Sequence, residues 1–407
     1  MNDYKLTYYL VIMIKKKILI AQGGGPTMVI NKSLVGIIQQ AKDKFQVLGS
    51  LNGVRGIVDN KFTSLNELSS QKMNEIENSP GAALGSTRDK PDQKYCDEIC
   101  KVLKKKKIEK FFYIGGNDSS DSLRLISEKA KKDGQNIQCI HVPKTIDNDL
   151  VLNDHTPGFG SAAKYVSSLF AGINLDVNSL PGIYIGVVMG RHAGFLTASS
   201  ALLRKRKSDG PHLIYVPESI FNISKFSNDV LKVYNKYGKC VVAISEGIKN
   251  NKGQLLATLA NNSNEKDAHG NVQLSGSGSL GDFLSNGIKK TLNIKRVRSD
   301  TLGYPQRSFL GCCSEVDQKE AKLIGKKAVQ FSLKTTESFS VSIKERSSFS
   351  SGYDIKFSIN NLKDIAGKTK YMSPKFINNQ GNNVTSQFIN YALPLIGKKF
   401  PKFTTNL

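Results

Sequence analysis

Short apolar runs recur along the chain, each ending in a turn of glycine, proline, serine or aspartate. Ile18–Ala21, Val47–Leu51, Lys110–Ile114, Gln138–Val142 and Ile183–Val188 lack a period-two alternation. That marks strands covered on both faces, as in a parallel sheet. His212–Glu218 and Cys240–Gly247 read the same way, the second closing on the carboxylate of Glu246. Helical runs separate them: Asn31–Lys42 lines up Leu34, Ile37, Ile38 and Ala41 on one stripe. The first strand passes into that helix through Gly23-Gly24-Gly25, the layout of a mononucleotide-binding unit, although a glycine turn alone is as often a plain connector. Asn261–Leu280 is polar and glycine-rich, which predicts a flexible connection. No fixed short repeat is present.

Length and hydrophobic content (407 residues, 39% hydrophobic) fit a soluble α/β protein large enough for two domains. The 58 basic and 34 acidic side chains leave a net charge of +24. Such a charge can serve nucleic acid, a membrane surface or anionic substrates, or reflect lysine- and asparagine-rich coding. The lysines are scattered, with short runs only at Lys15–Lys17 and Lys104–Lys107, and no basic stretch is interleaved with aromatics. Coding bias is therefore the preferred reading, and no nucleic-acid or membrane partner is expected. The six cysteines lack zinc-type CxxC pairing. Tyr8–Ile14 is too short to span a membrane and lacks a cleavage site. A cytoplasmic protein is expected. Met13 is the expected start, which would make residues 1–12 an ornament.

The chemistry concentrates after two central strands. Gly115-Gly116-Asn117-Asp118-Ser119 follows Lys110–Ile114, and Pro143-Lys144-Thr145-Ile146-Asp147-Asn148-Asp149 follows Gln138–Val142. In an open parallel sheet both motifs face the crevice beyond the carboxyl ends of the strands. Glycine backbone at the start of a helix can approach a phosphate, and a lysine, a hydroxyl and two carboxylates stand beside it. Amides for phosphate next to paired carboxylates point to magnesium-dependent phosphoryl transfer.

With Gly81–Arg88, Pro157–Lys164, Met189–Gly194 and Arg298–Arg307 in the same order, the chain resembles the phosphofructokinase family from about Ile18 to Gly311, and within it the pyrophosphate-dependent branch. Gly-Gly-Asn-Asp by itself would be weak, since NAD kinases and lipid kinases carry a related motif. The resemblance implies an α/β fold with two parallel-sheet, Rossmann-like domains facing one active-site cleft. The chain is expected to cross between them, with 13–158 and about 306–350 forming the phosphoryl-donor domain and 159–305 and about 351–407 the sugar-phosphate domain. The implied reaction moves a phosphoryl group from pyrophosphate to the 1-hydroxyl of fructose 6-phosphate, reversibly, with Mg2+ as cofactor.

Site roles follow from the same resemblance. Asp147 is expected as general base, with Thr145, Lys144 and Arg191 completing the catalytic set. Gly24, Gly25, Arg88, Lys144 and Asn117 are expected at pyrophosphate. Met189, Gly190, Arg191 and Glu246 are expected around the sugar along with Thr145 and Asp147, and Arg298, Tyr304 and Arg307 around its 6-phosphate. Asp118 and Asp149 are the expected metal ligands, and Asn117 stands where many relatives carry a metal-holding aspartate. ATP-dependent relatives have glycine at the positions of Asp118 and Lys144. A carboxylate crowds a nucleotide's inner phosphate and a lysine neutralises a compact diphosphate, so both substitutions favour pyrophosphate. His192 is expected to pack or hydrogen-bond rather than ligate. A homodimer or homotetramer is implied, with Arg298 lent to a neighbouring subunit, although Gly182 replaces a second lent arginine and Val35 an effector-site arginine. The rivals are an ATP-dependent 6-phosphofructokinase and a non-catalytic RNA-binding protein, which a steep salt dependence of affinity would reveal.

Overall fold

The structure, a computed structural model, describes residues 15–260, 278–346, 355–401 and 403–404. Its strands are β1 (Lys17–Gln22), β2 (Gln46–Ser50), β3 (Phe62–Ser64), β4 (Ile108–Gly115), β5 (Gln138–Pro143), β6 (Ile183–Val188), β7 (Leu213–Tyr215), β8 (Cys240–Ser245), β9 (Val297–Thr301), β10 (Phe339–Ile343) and β11 (Phe357–Asn360). They form a seven-stranded sheet in the order β11-β10-β5-β4-β1-β2-β3 and a four-stranded sheet in the order β7-β8-β6-β9. The second sheet is parallel throughout, and the first is parallel except at β3 and β11, its two edges. The expectation of two parallel-sheet units holds.

Burial on both faces explains the uninterrupted apolar runs. In the first sheet Ile18, Ile20, Phe112 and Ile114 face one core and Leu19, Ala21, Phe111 and Tyr113 the other. Each leucine, isoleucine or phenylalanine among them, removed from water, contributes about 1.5–3 kcal/mol. Helix Ile30–Ala41 covers the first face beside helix Glu315–Ser332. These two helices touch backbone to backbone. A Cβ on Gly36 would lie 2.3 Å from the Lys322 carbonyl oxygen, and one on Gly325 2.2 Å from that of Ser33. Glycine at both positions is what brings residues 315–332 home to the first unit.

The expected crossing at about 350 falls later. β11 still pairs with β10, and helix Leu362–Ile365 packs on helix Asn117–Lys132, because Leu362 joins the apolar cluster beneath the first sheet. Only from Met372 does the chain join the second unit's core, where Phe376, Phe388, Tyr391 and Leu395 pack with Phe159, Phe170 and Phe195. Residues 1–12 and most of the expected flexible connection (261–277) lie outside the described residues. The end of that connection is helical, since helix Ser279–Leu292 starts inside it and buries Leu280, Leu284 and Ile288. Among the described residues no helix is long and apolar enough to cross a membrane.

Candidate active site

The first sheet reverses direction of growth at β1, with β2 on one side and β4 on the other. Such a switch point opens a crevice at the strands' carboxyl ends. Three turns converge on it, after β1, β4 and β5. Gln22 ties the first turn down: its amide donates to Asn31 Oδ1 at 3.1 Å and its oxygen accepts the Leu84 N–H at 2.9 Å. Asn31 Oδ1 also accepts the Ala83 N–H at 2.9 Å. The Gly24 N–H donates to the Thr87 carbonyl and the Ser86 hydroxyl to the Gly24 carbonyl, at 2.9 and 2.6 Å. This clasp carries Arg88 to the cleft wall.

Gly24 and Gly25 leave room for cations. A Cβ on Gly24, whose φ is +74°, would lie 3.3 Å from Lys144 Nζ, and one on Gly25 3.0 Å from Arg307 Nε. Lys144 Nζ donates to the Gly25 carbonyl at 2.7 Å. The lysine is buried, and burial, with Arg307 adding to the effect, pushes it down to about 7. An anion beside it would restore its charge.

The turn after β5 supplies the acids. Thr145 pairs with Gly158, and its hydroxyl accepts the Asp147 N–H at 3.1 Å. Burial pushes the Asp147 carboxyl up to about 7, with Asp149 and Glu246 adding to the shift and Arg307 and Lys144 opposing it. Asp149 is also raised, chiefly by burial. Its Oδ2 accepts from Asn117 Nδ2 at 3.0 Å. Among the described residues, Asn117 Oδ1 and Asp149 Oδ1 are both buried without a hydrogen-bond partner. Two orphaned hard oxygens on facing side chains suit a divalent cation that keeps several waters.

The second sheet contributes the opposite wall. β6 runs out at Met189, whose N–H donates to Gln306 Oε1 at 3.2 Å. Gly190, at φ +139°, turns Arg191 into the cleft. The Ser245 hydroxyl holds the Gly190 carbonyl at 2.6 Å, and the Gly190 N–H faces Glu246 Oε1 at 3.4 Å. Glu246 is buried at the end of β8. Two adjoining cavities of about 130 and 440 Å³ result, and Lys144, Thr145, Asp147, Arg191, Glu246 and Arg307 line both. The larger one also reaches Gly24, Arg88, Asn117, Asp118 and Asp149.

Three expected residues sit at the rim of this cluster or beyond it. Asp118 is exposed at the rim, in an ion pair with Lys90 at 3.0 Å, while its neighbour Asn117 faces Asp149; helix Asn117–Lys132 starts here and turns position 118 outward. Arg298 is exposed on β9, the edge of the second sheet. Tyr304 is 47% exposed, with the Arg307 guanidinium 4.8 Å from its ring centre. His192, expected to pack or hydrogen-bond, is exposed at the cleft.

Sequence reasoning missed the later residues. Gly367 and Thr369 line the larger cavity, and the Lys370 N–H donates to the Asp149 carbonyl at 2.7 Å. Glu218 Oε1 accepts the N–H groups of Gly194 and Met372 at 3.0 and 2.9 Å, joining the acceptor loop to the same segment. No local motif marks this segment. Gln306 could have been found, since it lies between Tyr304 and Arg307 in a quoted motif.

Comparison with known proteins agrees with this geometry. Residues 17–332 match the phosphofructokinase family. The pyrophosphate–fructose 6-phosphate 1-phosphotransferase of Rhodospirillum rubrum is 53% identical, over 96% of each chain. The protein of the same name from Xanthomonas campestris is 35% identical, over 96% of this chain and 93% of its own. A pyrophosphate-dependent phosphofructokinase structure from Marinobacter aquaeolei superposes with a TM-score of 0.83 at 31% identity, covering 96% of this chain and 94% of that one. Two facing parallel-sheet units, the shared cleft and near full-length likeness lead to one assignment: this chain belongs to the phosphofructokinase family.

Proposed function

We propose that this chain is a pyrophosphate-dependent phosphotransferase acting on fructose 6-phosphate, yielding fructose 1,6-bisphosphate and phosphate. The observation that carries the donor choice is Lys144, buried against the Gly25 carbonyl with its charge weakened until an anion arrives. Among the described residues the larger cavity is lined by no aliphatic or phenyl side chain, and its two aromatic rings are Tyr113, 1% exposed, and the imidazole of His192. It offers a nucleotide base no apolar slot. A compact diphosphate needs none.

In this reading pyrophosphate lies over Gly24 and Gly25, between Lys144 and Arg88. Asp147 takes the proton of the sugar's 1-hydroxyl as that oxygen bonds to phosphorus and the bridging oxygen leaves with phosphate. A base near 7 suits that proton at neutral pH. Arg191, Arg307 and Lys144 face the charge that spreads over the transferring oxygens, where fixed cations act without reorganising. Met189 and Glu246 hold the sugar ring. A magnesium ion, where bound, would rest on Asp149 and Asn117 and neutralise diphosphate charge. Asp118 serves the donor rim through Lys90. Arg298 and Tyr304 stand outside the cleft's lining, and we assign them to the 6-phosphate across a homo-oligomer interface, Arg298 reaching a neighbour's cleft.

Initial rates with pyrophosphate and with ATP, each with fructose 6-phosphate, test the proposal. Pyrophosphate is expected to support turnover, with an Asp147→Asn control losing it. Turnover with ATP alone would overturn the donor assignment.

A further inference from the structure

Asp147 and Asp149 flank Asn148, a buried residue with φ +58°, in the left-handed region that side chains other than glycine occupy at a cost. Something must hold the turn there. Both ends of the Asn148 amide are taken by residues beyond the 17–332 family match: Nδ2 donates to the Tyr391 hydroxyl at 2.7 Å, and Oδ1 accepts from Lys370 Nζ at 3.2 Å. Tyr391 and Lys370 are fixed in turn. The Tyr391 hydroxyl donates to the Asp154 carbonyl at 2.5 Å, and Lys370 Nζ donates to the carbonyls of Asn153 and Asp154 at 2.9 and 3.0 Å. Asp154 is anchored to the first sheet by its N–H on the Ile343 carbonyl at 2.9 Å. Its carboxylate accepts from Arg346 Nε at 2.7 Å and meets His155 Nδ1 at 2.6 Å.

We infer that Tyr391 and Lys370 are positioning residues for the transfer: by clasping Asn148 from both sides they hold Asp147 toward the sugar hydroxyl and Asp149 toward the donor. The inference rests on the functional reading above. Tyr391 comes from helix Ser386–Ala392, packed in the second unit's core, whereas Asp154 hangs from β10 of the first sheet. The clasp therefore ties the aim of the catalytic turn to the seating of the two units against each other. A turn released from it would relax toward ordinary backbone angles and re-aim both carboxylates.

Tyr391→Phe keeps the ring's stacking on Phe376 at 5.2 Å and its contact with the Arg346 guanidinium at 5.1 Å, and removes only the hydroxyl. Asn148→Gly keeps the left-handed backbone accessible and removes the amide. Each is expected to lower kcat by about tenfold or more, the scale of a misplaced reacting group, with both KM values within about threefold of wild type. The double variant should lose less than the product of the two single losses, since both remove the Asn148–Tyr391 bond. A kcat within twofold of wild type in either folded variant, or losses that multiply in the double one, would overturn the inference. If Tyr391→Phe does not accumulate folded, Asn148→Gly decides alone. Wild-type turnover measured alongside separates the failures: an inactive wild type sinks the functional reading and this inference together, an active one with fully active variants only this inference.

Discussion

Replacing Lys144 by methionine is the most direct probe of how the cleft handles its donor. Methionine keeps an unbranched chain of similar length and removes the ammonium that sits 2.7 Å from the Gly25 carbonyl. A unit charge 4 Å from a phosphate oxygen interacts by about 4 kcal/mol at the effective dielectric near a protein surface. Arg88, Arg191 and Arg307 line the same cavity and take up part of that work. The expected loss is therefore that of one preorganised donor, about 3–4 kcal/mol or 10²–10³-fold in kcat/KM for pyrophosphate. The KM for fructose 6-phosphate should move by no more than about threefold, since Lys144 faces the glycine floor rather than the sugar wall. Stability works as a control. The lysine's folded pKa lies far below its unfolded value, so burying it costs most below about pH 7 and the cost is relieved as pH rises toward the unfolded value of 10.5. The methionine variant should thus melt no lower than wild type at pH 6. A loss under about fivefold, or one that falls mainly on the sugar-phosphate KM, would refute the placement of Lys144 at the donor.

Other outcomes follow from the same geometry. For the free enzyme Asp147 must be ionised and Lys144 protonated, and both sit near 7, so kcat/KM should trace a narrow bell about neutrality, whereas kcat stays high further into base because bound pyrophosphate raises Lys144; a flat profile from pH 6 to 9 would speak against both roles. Asp147→Asn should cost about 10²–10⁴ in kcat. Because the carboxyl's folded pKa is raised above its unfolded value, its contribution to stability is complete at low pH and lost as pH rises through about 7, so the amide variant should gain melting temperature at pH 8 and not at pH 4, as a pair of thermal scans would reveal. Gly25→Ala brings a methyl to 3.0 Å from Arg307 Nε, on the floor assigned to pyrophosphate, and should raise the KM for pyrophosphate more than that for fructose 6-phosphate in initial-rate assays. Lys144→Gly combined with Asp118→Gly should abolish pyrophosphate use and raise ATP turnover above the wild-type level.

Much of the frame was legible because parallel strands buried on two faces must be apolar throughout, and their turns must carry whatever chemistry the crevice needs. Ile18–Ala21, Lys110–Ile114 and Gln138–Val142 fall inside observed strands, and Gly24, Lys144, Asp147 and Arg191 meet as their motifs implied. Asp118 was harder, because a one-residue difference on a helix start decides which side chain faces inward and which faces Lys90. The segment after Ser332 was opaque for another reason. β11 alternates weakly, its strand is an edge, and Lys370 reaches Asn148 across a sequence separation that no local pattern encodes. Long-range polar contacts are set by packing, and packing is invisible to periodicity.

The opposed shifts of Lys144 and Asp147 have a common origin. A crevice that sets Lys144, Arg191 and Arg307 beside Asp147, Asp149 and Glu246 is held partly discharged by burial: the lysine leans toward neutral and the aspartate toward protonated. Pyrophosphate reverses the first tendency by supplying negative charge beside Lys144, and the recharged lysine opposes the second by drawing Asp147 toward its ionised form. With Asp147 replaced by asparagine, so that no carboxyl proton is released, the recharging of Lys144 should appear alone as proton uptake when pyrophosphate binds near pH 7, measurable by titration calorimetry in buffers of different ionisation enthalpy. It should be absent in the methionine variant at position 144, because that side chain has no proton to regain.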